Sequence, residues 1–191
     1  MTTTTQTEYT FDDLLAKSGD KLYELIEGQL VEKQVGAIAL WAATQIARLI
    51  GNHVEPTGRG FVFTELPINC FGWLRNHGRR PDVVYMHRER FRGGRLSDDP
   101  VTAAPNLVAE VLSPNDDAIK VDVKVEEYLR AGVELVWVVN PETRTVRVHR
   151  ADGSVHVFHE ADTITGESVL PEFKAVVGEF FPALHVQSPQ P

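Results

Sequence analysis

Apolar residues along this chain switch between two spacings, and the switch points outline its elements. In "VGAIALWAATQIARLIG" (35–51) they recur every three to four positions, the spacing of one helix face, and the run ends at Gly51. In "LYELIEGQLVEK" (22–33) they alternate on either side of Glu27-Gly28, which predicts a β-hairpin. "GFVFTELPIN" (60–69), "PDVVYM" (81–86) and "NLVAEVLS" (106–113) read as strands. Pro114-Asn115-Asp116 then opens a helix, with Asn115 or Asp116 as its cap; it runs to Ala131 and stops at Gly132. "ELVWVVNP" (134–141) is a strongly apolar strand. "TVRVHR" (145–150) and "SVHVFHE" (154–160) form an antiparallel pair joined by "ADG". "FDDLLAK" (11–17) is a short helix, and "VLPEFKAVVGEFFPAL" (169–184) is a strand or loop followed by a short helix.

The middle of the chain therefore runs helix, three strands, helix, strand. A near-continuous apolar strand directly after a helix implies a crossover into a sheet covered on both faces. The expected fold is α/β, a mixed sheet flanked by helices with additional antiparallel strands at its edges. At 191 residues one domain is expected, with residues 8–182 as its core and flexible ends at 1–7 and 185–191.

Composition narrows the class. The single cysteine, Cys70, precludes an internal disulfide and suits a reducing compartment, so the cytoplasm is expected. The opening "MTTTTQTEYT" lacks the basic and apolar regions of a signal peptide, and the apolar run at 35–51 is too short and too polar to span a membrane. A net charge of −8 weighs against a general nucleic-acid coat protein. It leaves room for a local basic patch, and "WLRNHGRR" (73–80) and "HRERFRGGR" (87–95) concentrate arginine.

Two acids stand out inside apolar strands. Asp82 lies in "RRPDVVYM" and Glu110 in "PNLVAEVLSP". Burying a carboxylate is costly without compensation. If the two strands pair, the carboxylates meet at one end of the sheet, and two close carboxylates need a cation or a shared proton. An oxygen-ligated divalent ion, Mg²⁺ or Mn²⁺, meets that need. Capping by backbone amides, or pairing with Arg79 or Arg80, meets it equally well. On the following helix Ala118, Val121, Val125, Tyr128 and Leu129 share one stripe. Lys124 lies at the edge of that stripe, placed either to snorkel outward or to reach Glu110; Lys120 lies further towards solvent.

"RRPDVVYM", "VAEVLSPND" and "KVEEYLRAGVELVWVVNPETRTV", in this order, resemble the Uma-two family of the PD-(D/E)XK nuclease superfamily, bacterial proteins described as restriction endonucleases. The resemblance spans about residues 8–182 and includes the opening hairpin and the closing "LPEFKAVVGEFF". It implies a restriction-endonuclease-like core and metal-assisted hydrolysis of DNA. Asp82 and Glu110 match the two acids of the motif. They would hold Mg²⁺ or Mn²⁺ together with the backbone carbonyl of Val111. The motif's lysine falls at Leu112 here, and Lys124 occupies the place of a lysine moved onto the following helix, where it would orient water or stabilise the transition state. The histidine that many relatives carry in the first core helix is missing. Glu24 and Glu32 match family positions without an assigned role. Arg75, Arg79, Arg80 and Arg88 would supply phosphate contacts, which position a nucleic acid without reading its sequence. A homodimer is compatible with this chemistry, since nucleases that cut both strands often pair. Two alternatives stay open: a binding module on the same fold with weak or no cleavage, and hydrolysis of a non-nucleic phosphodiester.

Overall fold

A computed structural model describes residues 7–17, 19 and 21–183. The expected flexible ends, 1–7 and 185–191, fall outside those residues except for residue 7. Six strands form the central sheet in the order β3 (Gly60–Thr64), β4 (Val83–His87), β5 (Leu107–Val111), β6 (Leu135–Asn140), β7 (Thr145–Arg150) and β8 (Val155–Phe158). The β5–β6 pair is parallel and every other pair is antiparallel. A parallel pair requires a crossover, and helix α3 (Ala118–Ala131) provides it. The sheet is thus mixed and flanked by helices, as the apolar pattern predicts. Two separate two-stranded antiparallel sheets accompany it: β1 (Tyr23–Ile26) with β2 (Gln29–Glu32), and β9 (Thr163–Gly166) with β10 (Leu170–Val176).

Each face of the central sheet buries a different partner. Helix α2 (Ala37–Val54) lays Ala39, Ala42, Ala43, Ile46, Ile50 and Val54 against Val83, Tyr85, Leu107 and Trp137, with the β9–β10 unit extending the same layer. On the opposite face Val121, Val125 and Tyr128 of α3 pack on Val108, Val136 and Val138, together with Ile68 and Phe71 from the long β3–β4 connection. Burial of apolar side chains at roughly 25 cal/mol per Å² drives both layers. The N-terminal helix α1 (Phe11–Ala16) closes a smaller cluster of Phe11, Leu14 and Leu25 over the β1–β2 hairpin. That hairpin is stitched to the body by paired backbone bonds between Leu25 and Gly78. Gly78 is required there, because a Cβ would come within 2.6 Å of the Phe11 ring. Among the described residues no helix is long and apolar enough to cross a membrane.

The structure corrects three local expectations. Helix α2 continues past Gly51 to Val54, because Ile50 and Val54 stay on its buried face. The α3 cap is Asp117, whose carboxylate accepts the Ile119 N–H, whereas Asp116 turns back to the Ser113 N–H. The first residue of the expected stripe, Ala118, is exposed. Gly132 ends α3 as expected, with a left-handed φ of 96° that suits glycine.

Candidate active site

The pairing of β4 with β5 brings the two acids together. Val83 lies opposite Ala109, so Asp82, one step before β4, falls beside Glu110. Both are buried, with 5% and 6% of their surface exposed. Asp82 Oδ2 accepts the Val111 backbone N–H at 2.6 Å, and Oδ1 accepts the Lys33 ammonium at 2.7 Å. Glu110 Oε1 accepts the Tyr128 hydroxyl at 2.5 Å, and Oε2 lies 3.6 Å from Lys124 Nζ. Burial pushes the Glu110 carboxyl up, as does the neighbouring Asp82 charge, against the pull of Lys124. Burial, together with the Glu110 charge, likewise raises Tyr128 well above the ordinary phenol range, so it stays a donor.

Lys124 is the lysine that turns inward, while Lys120 is exposed. Glu24 holds Lys124 on its other side, at 3.1 Å. Burial would lower the Lys124 ammonium, but the charges of Glu110 and Glu24 raise it and keep it cationic. Glu24 is itself buried and accepts the Arg80 backbone N–H as well as Arg79. Lys124, Arg79 and that N–H outweigh burial and hold its carboxyl below the usual range.

The pattern along the chain did not single out Lys33 or Glu65. Lys33 follows β2, and its ammonium donates to Asp82, to both oxygens of Glu65 (2.9 and 3.0 Å) and to the Arg80 carbonyl (2.8 Å). Burial would lower it, but the charges of Asp82, Glu110 and Glu65 hold it above the ordinary lysine range. Burial pushes Glu65 up to about 7 despite that contact. Glu65 directly follows β3 with a positive φ of 54°, an uncommon conformation for a non-glycine residue. No local periodicity reveals these partners, which lie 32 and 49 residues apart in the chain.

The arginines divide differently from the expectation. Arg79 is buried and paired with two acids: its Nε donates to Glu127 at 2.7 Å and NH1 to Glu24 at 3.2 Å. It is an ion-pair partner of both acids. Arg80 is half-buried and spans the Tyr23 and Glu65 carbonyls. Arg88 lies beyond the far end of β4 from Asp82, roughly 20 Å along the strand direction. There it donates to the Gly58 and Gly94 carbonyls and stacks on Phe61. Its loop therefore lies at the opposite end of the strands from the acids. Arg75 is exposed, 3.3 Å from Glu8.

The acids and both inward lysines line one cleft of about 370 Å³, with Lys120 at its margin. A larger and mostly apolar hollow of about 710 Å³ adjoins it, sharing Ala39, Leu112 and Val121 as a wall. Hard oxygen donors gather around Lys33: two carboxylates and a backbone carbonyl clasp a single ammonium. Carboxylate oxygens of this hard type, on Asp82 and on Glu110 beside it, are the ligands Mg²⁺ or Mn²⁺ takes. Among the described residues no three His, Cys, Asp or Glu side chains converge as a ligand group. Mg²⁺ does not require that, because it commonly rests on one or two carboxylates and keeps its waters.

A mixed sheet with helices on both faces thus carries two buried acids side by side at one strand end. The chain belongs to the Uma2 family, described as "Putative restriction endonuclease", whose family model matches residues 9–178. Its fold is also similar to the crystal structure of "a putative nuclease belonging to DUF820" from Anabaena variabilis ATCC 29413. The two chains are 24% identical, with a TM-score of 0.77 over 90% of this chain and 97% of that one. None of the curated proteins matches it.

Proposed function

We propose that this protein is a metal-dependent endonuclease of the PD-(D/E)XK type that hydrolyses DNA phosphodiester bonds at the Asp82–Glu110–Lys124 cleft. One observation carries the reading: two nearly buried carboxylates lie side by side in an open cleft, with an ammonium 3.6 Å from one of them. Membership of a family described as restriction endonucleases supports it. Asp82 and Glu110 would hold Mg²⁺ or Mn²⁺, with the backbone carbonyl of Val111. When bound, such an ion polarises a phosphoryl oxygen and lowers the pKa of a coordinated water. The chain supplies the rest. The Val111 N–H and the Tyr128 hydroxyl each fix one carboxylate oxygen, so the acids enter the reaction already oriented. Glu24 steers the Lys124 ammonium towards the cleft, where it can neutralise charge building on a phosphate. Lys120, exposed at the margin, is placed to hold the backbone of a strand.

Plasmid nicking by highly purified protein tests this. Wild type should cleave with Mg²⁺ or Mn²⁺. Asp82→Ala, Glu110→Ala and Lys124→Ala should each lose nearly all turnover, because groups acting as a unit are not additive. Cleavage persisting in Glu110→Ala places the activity elsewhere. A second reading, a binding module, draws on the protein's own donors satisfying both carboxylates. Retained DNA binding without cleavage by any divalent ion selects it.

A further inference from the structure

We propose that Lys33 is the resident counter-ion of the acid site, and that a divalent ion binding at Asp82 displaces it. This inference rests on the metal reading above. The Lys33 side chain is only 10% exposed, an expensive place for an ammonium unless every donor is used. Every donor is used: its three N–H groups point at Glu65, the Arg80 carbonyl and Asp82, at 2.7 to 3.0 Å. The ammonium thus takes the place of a cation among hard oxygens. It neutralises the repulsion that Asp82 would otherwise share with Glu110.

An ammonium and a divalent ion held on the same carboxylate repel each other strongly at such distances. Lysine can leave where a fixed group could not. Its stem is flexible, and free ammonium is strongly hydrated. The path outward is open as well. Lys33 follows β2, the outer strand of the hairpin, and Glu32, Gln34 and Gly36 around it are exposed. The stem lines the cleft, so its departure widens the entrance for a strand of substrate. The resting protein would then keep its acids charged and closed until a divalent ion competes successfully for Asp82.

Two measurements test the exchange without reading activity. The first is reductive methylation of wild-type protein, followed lysine by lysine by mass spectrometry with and without saturating Mn²⁺. Lys33 should label slowly without the ion and at least about fivefold faster with it, while exposed Lys174 stays unchanged. The second is calorimetry, in which Lys33→Met should bind Mn²⁺ at least about tenfold more tightly than wild type. Should that variant fail to fold, the labelling of wild type decides alone. Binding of Mn²⁺ with Lys33 labelling unchanged overturns the exchange and leaves the metal reading intact. Calorimetric silence in wild type overturns both.

Discussion

Replacing Arg79 with methionine separates a buried ion-pair partner from a phosphate contact. Methionine keeps most of the stem's packing and removes the charge. The side chain is 8% exposed and bridges Glu127 at 2.7 Å to Glu24 at 3.2 Å. Removing one partner of a buried ion pair costs about 3–5 kcal/mol, because a charge is left stranded. Both acids keep other partners here: Glu24 retains Lys124 and the Arg80 N–H, and Glu127 retains His77. The cost therefore falls at the low end, about 3 kcal/mol. In a protein of this size each kcal/mol moves the melting temperature by about 2–4 °C, so Arg79→Met should melt about 6–12 °C lower. Thermal unfolding followed by circular dichroism at neutral pH reads this directly. Adding Glu127→Gln should recover part of the loss by removing the stranded charge. A fall of less than about 2 °C, with weakened DNA affinity instead, would refute the ion-pair account and restore the phosphate role.

Tyr128→Phe removes the hydroxyl that Glu110 Oε1 accepts and should cost about 1–3 kcal/mol of stability in chemical denaturation, with unchanged stability counting against a stabilising contact. Acid should erode the protein through Glu127. Burial raises its carboxyl, but the hydrogen bonds from His77 and Arg79 and the Arg79 charge outweigh that and hold it at about 2, against an ordinary 4.5. A depressed carboxyl pKa contributes stability that is fully present above pH 4.5 and is lost as pH falls towards about 2. Urea midpoints in that window should fall more steeply for wild type than for Glu127→Gln, and parallel slopes would exclude the effect.

The elements that follow local rules were legible in the sequence. The α3 stripe of Val121, Val125 and Tyr128, the Gly132 stop and the alternation around Glu27-Gly28 depend on neighbours within one turn or one hairpin. The parallel β5–β6 pair followed from the helix that joins them. Strand β9 escaped notice because Ile164 is its one apolar side chain and its other buried position is Gly166, which leaves no alternation to read. The α3 cap was ambiguous because Asn115, Asp116 and Asp117 are all competent, and only the fold decides which faces the helix. At the site, the acids announced themselves by polarity inside apolar strands, and Lys124 by its position at a stripe edge. Lys33 and Glu65 carried no such mark, since long-range packing makes them partners of Asp82 and of each other. Arg79 reads as a phosphate contact, or as a partner of Asp82 or Glu110, for the same reason: the acids it does pair with, Glu127 and Glu24, lie 48 and 55 residues away.

The most direct test of the account is a crystal soaked in Mn²⁺ and measured for anomalous scattering. A peak between Asp82 and Glu110, within about 2.0–2.6 Å of a carboxylate oxygen from each, is the predicted result. A peak elsewhere, or none at saturating Mn²⁺ with Lys33 still on Asp82, would contradict it.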